Sequence, residues 1–314
     1  MRTEKAKESN NGFDLIGDIH GYAAPLRRLL GKLGYEEING CYHNPNRKVV
    51  FLGDFIDRGP AIRETLMIVR AMIDGGAALA VMGNHEFNAL CYATVGADGA
   101  PLRANSEKNR VQHKATLDAF ADYPDEWRDY LAWFKTLPMY LETDGFRVVH
   151  AAWDEAKIAA LNGCDRLDEA LLHKAATKGT PEYDAVEFLL KGREVRLPDG
   201  YRFSDKSGFS RSKIRTKWWL SGEGRTYRDL VFPECETIPA IPVPANEGSD
   251  LTGYDNDAAP VFVGHYWLTS NYPMSPLTKN VACLDFSVAK GGPLVGYRWN
   301  GAGQLKDEGF VSSN

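Results

Sequence analysis

Cysteine is scarce and scattered. The 314 residues hold five, Cys41, Cys91, Cys164, Cys235 and Cys283. An odd number with no CxxC pair argues against a disulfide framework or a cysteine zinc site, and for reduced thiols. No run of about 18 apolar residues occurs, so no helical membrane span is expected. The opening Met1-Arg-Thr-Glu-Lys-Ala-Lys-Glu8 lacks the apolar core of a secretory signal. Cytoplasmic residence is the resulting expectation. Positive charge is not in excess either: 37 Lys and Arg against 42 Asp and Glu give a net charge of -5. That balance disfavours extended nucleic-acid binding and draws nothing to an anionic membrane. Internal repeats and low-complexity tracts are missing. What remains, 44% hydrophobic and 25% charged, has the proportions of a soluble globular protein long enough for a sizeable core.

Two periodicities alternate through the first 90 residues. Apolar runs at 13–16, 49–52 and 77–82 read as buried strands, closed by Gly17, Gly53 and Gly83. Between them Leu26, Leu29, Leu30 and Leu33, then Ile62, Leu66, Val69 and Ile73, recur at helical spacing, ended by Gly34 and by Gly75-Gly76. Strand–helix–strand at this pitch predicts right-handed crossovers and a parallel sheet. A polar loop is expected over 98–114, then a helix capped by Asp125, with Trp127, Tyr130, Leu131, Phe134 and Leu137 packed in a core. A strand at 147–149 ends at His150. Helices follow at 165–178 and 180–191, the second opened by Thr180-Pro181. Strands resume at 261–263, 281–284 and 294–299, the last two expected as an antiparallel pair.

Chemistry gathers just past the strand ends. Gly17-Asp18-Ile19-His20-Gly21, Gly53-Asp54-Phe55-Ile56-Asp57-Arg58-Gly59, Gly83-Asn84-His85-Glu86, His150 and Gly264-His265 all occupy such positions. Ligands of open α/β sheets bind outside the carboxyl ends of the strands. A mixed oxygen and nitrogen set of this kind suits two divalent transition metals rather than magnesium alone.

GDIHG, GDFIDRG and GNHE resemble the signature of the calcineurin-like metallophosphoesterases. Within them they are most similar to the phosphoprotein phosphatase branch, related to the symmetrical diadenosine tetraphosphate hydrolases of bacteria. The resemblance covers about residues 13–90, 146–154 and 260–300. It implies an α/β fold, a four-layer αββα sandwich in a single domain over 1–314, with 155–250 inserted as a helical cap. It further implies Asp18 and His20 as ligands of one metal, Asp54 as the carboxylate bridging both, and Asn84, His150 and His265 as ligands of the second. His85 resembles the general acid, oriented by Asp57, and Arg58 the phosphate clamp. Manganese is the first expectation for the metal pair, with iron or zinc as alternatives. The implied reaction is hydrolysis of a phosphomonoester by direct attack of a metal-bridging hydroxide. The substrate would be a phosphoprotein, a small phosphoester or a nucleotide. Hydrolysis of a dinucleoside polyphosphate is the alternative. Asp57 and Glu86 place the chain nearer the protein-phosphatase branch.

The remaining polar residues read more plainly. The sequence His150-Ala151-Ala152-Trp153 replaces a usual His-Gly pair and is expected to put an indole at the rim of the site. His43, His113 and His173 match no motif and read as surface or packing residues. Asp285 is either a turn aspartate or a partner of a ligating histidine. The basic and aromatic run 206–219 reads as a solvated face, with an anion-binding wall, including a second phosphate arginine, as the other possibility.

Overall fold

The computed structural model describes residues 12–143, 145–204, 210–249, 251–269, 271–301 and 303–314. Strand β1 (Gly12–Ile16) leads to helix α1 (Ala23–Lys32), which buries Leu26, Leu29 and Leu30. Gly34, at φ +79°, turns the chain out of that helix. A hairpin of β2 (Glu36–Ile38) and β3 (Cys41–His43) comes next, with β2 wholly exposed. Then follow β4 (Arg47–Phe51), α2 (Ile62–Asp74), β5 (Ala78–Ala80) and α3 (Asn84–Ala93). β1, β4 and β5 are parallel, with Leu15 opposite Val50 and Val50 opposite Leu79, as the pitch predicts.

Part of the expected polar loop is a helix. α4 spans Glu107–Ala119, capped by the Ser106 hydroxyl, which accepts the Asn109 N–H. Its buried residues are His113 and Thr116, so it offers no apolar stripe for a periodicity argument to find. α5 (Pro124–Phe134) starts before Asp125, and no side chain caps it. The fixed φ of Pro124 starts the helix instead. Tyr130, Trp133 and Phe134 are buried there as core.

β6 (Tyr140–Glu142) and β7 (Arg147–Val149) pair antiparallel. The span 155–250 opens with α6 (Glu155–Ala160), α7 (Glu169–Ala176) and α8 (Pro181–Lys191), the last capped by Thr180 as expected. Short strands succeed the helices. β8 (Glu194–Arg196), β9 (Phe203–Ser204), β10 (Ser210–Arg211) and β11 (Lys213–Arg215) form the pairs β8–β11 and β9–β10. α9 (Tyr227–Leu230) and α10 (Ala245–Ser249) close the span. Val195, Leu197, Ile214, Leu230 and Ile238 give it a small apolar cluster of its own. Lys206 and Phe209 of the basic run lie outside the described residues. Its Trp218 and Trp219 are buried against each other, ring centroids 5.7 Å apart.

The chain returns through β12 (Val261–Val263), β13 (Val281–Cys283), β14 (Val295–Trp299) and β15 (Phe310–Ser312). Two sheets result, ordered β15-β14-β1-β4-β5 and β13-β12-β7-β6. β13 and β14 are therefore not a pair: β13 lies parallel to β12 and β14 antiparallel to β1. Both strands are almost wholly buried, so their apolar runs say nothing about which neighbour each takes. The sheets pack face to face, with Phe262 5.0 Å from Tyr297 and Phe146 5.2 Å from Phe13 between ring centroids. With the flanking helices this is the αββα sandwich expected. No helix among the described residues is long and apolar enough to cross a membrane.

Candidate metal centre

Backbone conformation delivers the motif residues to the sheet edge. His20, Asp54, Asp57, Arg58, His265 and Trp267 all have positive φ, from 48° to 71°. That region costs a non-glycine residue on the order of 1 kcal/mol and persists where the surroundings dictate it. Two glycines make the room. A Cβ on Gly264 would stand 2.0 Å from Asp18 Oδ1, and one on Gly83 2.2 Å from Asp54 Oδ1. Only glycine lets these carboxylates lie against neighbouring backbone.

Asp54 sits at the centre. Its Oδ2 lies 3.4 Å from His150 Nε2, 3.6 Å from His20 Nε2 and 3.8 Å from His85 Nε2. Oδ1 accepts the His85 backbone N–H at 2.9 Å. Two triplets of potential ligand atoms, each within 4.8 Å of one another, share Asp54: His20–Asp54–His85 and Asp54–His150–His265. Asp18 stands beside the first, its Oδ2 3.9 Å from His20 Nε2, and accepts the His265 backbone N–H. Asn84 stands beside the second, its Oδ1 3.2 Å from His150 Nε2. Every residue expected as a ligand is thus buried in one cluster. His85, rather than the expected Asp18, completes the first triplet with His20 and Asp54.

Divalent cations fit this cluster. Nε2 of His20 and of His265 is buried without a hydrogen-bond partner among the described residues. The carbonyls of Ile56 and Leu52 hold Nδ1 of His20 and His150 at 3.0 and 2.7 Å, which turns each Nε2 toward the carboxylates. Negative charge is crowded: burial, then Asp285, pushes the Asp18 carboxyl well above its ordinary value. Burial opposes charge on His150, yet the facing Asp54 and Asp18 outweigh it and raise His150 to about 10. His20 is lowered to about 3 by burial and by neighbouring His85. Orphaned imidazole nitrogens beside crowded carboxylates are the donor set for a pair of cations.

Next to the cluster, His85 Nδ1 lies 2.5 Å from Asp57 Oδ2. Asp57 Oδ1 accepts the Thr116 hydroxyl at 2.5 Å and is 2.8 Å from His113 Nδ1. One carboxylate therefore serves two histidines. His113 was expected at the surface or in packing, and no motif marks it because its helix carries no apolar period. Glu86 was also unassigned. It accepts the backbone N–H groups of Gly83, Asp54 and Phe55 at 3.0, 2.9 and 2.8 Å, tying together the loops that follow β4 and β5. Replacing His113 by Leu should lower kcat about tenfold for esters with poor leaving groups, the scale of losing an outer orienting partner. His113→Asn, which keeps a donor toward Asp57, should recover most of it, with metal content by elemental analysis unchanged in both.

Arg58 lies over Trp267, guanidinium carbon to ring centroid 3.9 Å, with Nη2 3.5 Å from His85 Nε2. Trp153 is not at the rim. It is buried against Tyr140, centroids 5.7 Å apart, with Arg147 4.8 Å from its ring. The Ala151 N–H bonds the Leu189 carbonyl at 2.9 Å and draws this segment under α8. The indole beside the site is Trp267. Asp285 accepts the N–H groups of Trp267 and Ser287 at 2.6 and 2.9 Å, so it organises turns rather than a histidine. Burial, then the positive charge of Arg215 on β11, holds His265 well below the ordinary imidazole value.

The family profile described as calcineurin-like phosphoesterase matches residues 13–178. A symmetrical bis(5'-nucleosyl)-tetraphosphatase of Aromatoleum aromaticum is 34% identical over 296 residues, 90% of this chain and 92% of that protein. Another, of Bordetella pertussis, is 28% identical over 90% of each chain. A protein serine/threonine phosphatase from Saccharomyces cerevisiae aligns with 98% of this chain and 80% of its own, at TM-score 0.53 and 14% identity, a likeness of fold alone. Sequence similarity along nearly the whole length and a metal-ready strand edge lead to one assignment: this chain belongs to the calcineurin-like phosphoesterase family and is a hydrolase of phosphoesters.

Proposed function

We propose that this chain hydrolyses dinucleoside polyphosphates of the diadenosine tetraphosphate kind, symmetrically. One observation carries the choice: the relative 34% identical across 92% of its own length bears that activity in its name. Motif reading alone ranked phosphomonoesters first, on Asp57 and Glu86. Similarity that runs through the inserted span as well outweighs two motif positions.

In this reading Asp18, His20 and Asp54 hold one divalent ion, and Asp54, Asn84, His150 and His265 the other, manganese being the first candidate. Such a pair supplies Lewis acidity, activating water near neutral pH and neutralising phosphoryl charge. The protein positions the rest. Arg58, planar and backed by Trp267, presents parallel donors to the phosphoryl oxygens. Arg215 adds positive charge from the inserted span. His85 keeps Nδ1 on Asp57, so a proton at Nε2 is available to the departing oxygen. One water and one dinucleoside tetraphosphate give two nucleoside diphosphates.

The phosphomonoesterase reading retains one support, the short His85–Asp57 contact. An alkoxide leaves poorly without an acid, whereas a leaving phosphate, with a second pKa of about 6, needs one less. Manganese-loaded protein should be given diadenosine tetraphosphate, a phosphopeptide and nitrophenyl phosphate side by side. The dinucleotide should show the highest kcat/KM, with adenosine diphosphate as the nucleotide product. Preference for the phosphopeptide would restore the monoester reading, and adenosine triphosphate among the products would remove symmetrical cleavage.

A further inference from the structure

The rim of the centre carries a cation, Lys290, that the chemistry above leaves unused. Lys290 ends a 3-10 turn, Val288–Lys290, just past β13 and so at the edge where the other site residues collect. Its Nζ is 5.1 Å from the Trp267 ring centroid, the ring over which Arg58 already lies at 3.9 Å. Neither cation makes an ion pair among the described residues, although carboxylates crowd the cluster behind them. Lys290 is exposed, whereas the frame holding it is not. The buried Asp285 carboxylate accepts the Trp267 N–H at 2.6 Å and the Ser287 N–H at 2.9 Å, so one group fixes both the indole and the turn that carries the lysine. Trp267 and Ser287 are held at φ +56° and +58°, the mark of positions dictated by their surroundings.

A single phosphoryl group facing the metal cluster satisfies Arg58 alone. A second cation beside the same indole, 5.1 Å from its centroid, suits an anion whose charge continues past the reacting phosphorus. We propose that Lys290, set by Trp267 and Asp285, binds the phosphoryl group next to the one attacked, and so selects polyphosphate chains over phosphomonoesters. This deepens the dinucleoside polyphosphate reading and rests on it for the identity of the substrate.

The test uses full-length, manganese-loaded protein at fixed free manganese, with nitrophenyl phosphate as reporter and tripolyphosphate or orthophosphate as competitive inhibitor. Lys290→Gln should weaken tripolyphosphate inhibition about tenfold, the scale of one charge-assisted contact, and shift orthophosphate inhibition less than about twofold, since orthophosphate does not reach this contact. Lys290→Arg should restore most of the difference. Equal weakening of both inhibitors, weakening of neither, or failure of arginine to rescue would overturn the subsite. A matching rise in KM for diadenosine tetraphosphate identifies the dinucleotide as the source of the chain; an unchanged KM with the inhibitor difference intact identifies free polyphosphate. Should the dinucleotide not be turned over while the inhibitor difference persists, the substrate reading falls and the subsite stands.

Discussion

Asp54→Asn is expected to leave a folded protein that binds fewer than two ions and turns over substrate on the order of 10³-fold more slowly, the scale of removing a charge-stabilising group from a catalytic centre. Asp54 is the member common to both ligand triplets, and its Oδ2 faces three imidazoles within 3.8 Å. The amide removes the shared negative charge but can keep the acceptor that Oδ1 gives the His85 N–H, so local structure should survive. Elemental analysis after dialysis reads the metal content, and circular dichroism reads the fold. Both ions retained at wild-type stoichiometry would refute the shared role.

His85→Asn should divide substrates by leaving group. For an alkyl phosphate the loss in kcat is expected at about 10²–10⁴-fold, the usual worth of a positioned acid. For nitrophenyl phosphate, and for a phosphoanhydride whose leaving phosphate has a pKa of about 6, the loss should be far smaller. Asp57 makes this assignment specific. Burial opposes its charge, but hydrogen bonds from His113 and His85 hold its carboxyl well below the usual range. A carboxylate ionised throughout the neutral range keeps His85 Nδ1 engaged and leaves Nε2 for the substrate. Metal content should stay at the wild-type level. An equal loss across all three leaving groups would mean that His85 acts by holding the cluster together, as its proximity to Asp54 Oδ2 at 3.8 Å allows.

The parts legible in the sequence were those set by local chemistry. Glycines at 17, 53 and 83 closed apolar runs, and the polar residues behind them had to collect at one sheet edge. Parallel pairing among β1, β4 and β5 followed from crossover geometry. Pairing between distant strands did not, because buried strands such as β13 and β14 carry apolar side chains whichever neighbour they take. α4 was hidden for a different reason: it turns His113 and Thr116 inward to a carboxylate instead of a hydrocarbon stripe. Trp153 misses its expected place because the Ala151–Leu189 hydrogen bond, a contact between segments far apart in sequence, draws it under α8, and Trp267, for which the sequence offered no expectation, stands beside the site instead. The proposed substrate branch rests on similarity across 90% of the chain, which two motif positions do not carry.

The inward face of α4 bears on how the protein ages in warm solution. Phe120 fastens the carboxyl end of that helix, its ring 4.9 Å from Trp127. Along the helix itself the buried residues are His113 and Thr116, and segments with so little apolar burial open before the body melts. Warming should therefore loosen the hold on Asp57 while both sheets are intact, so that activity fades reversibly below the main transition in far-ultraviolet dichroism. Coincidence of the two curves would mean that the helix shares the fate of the sandwich.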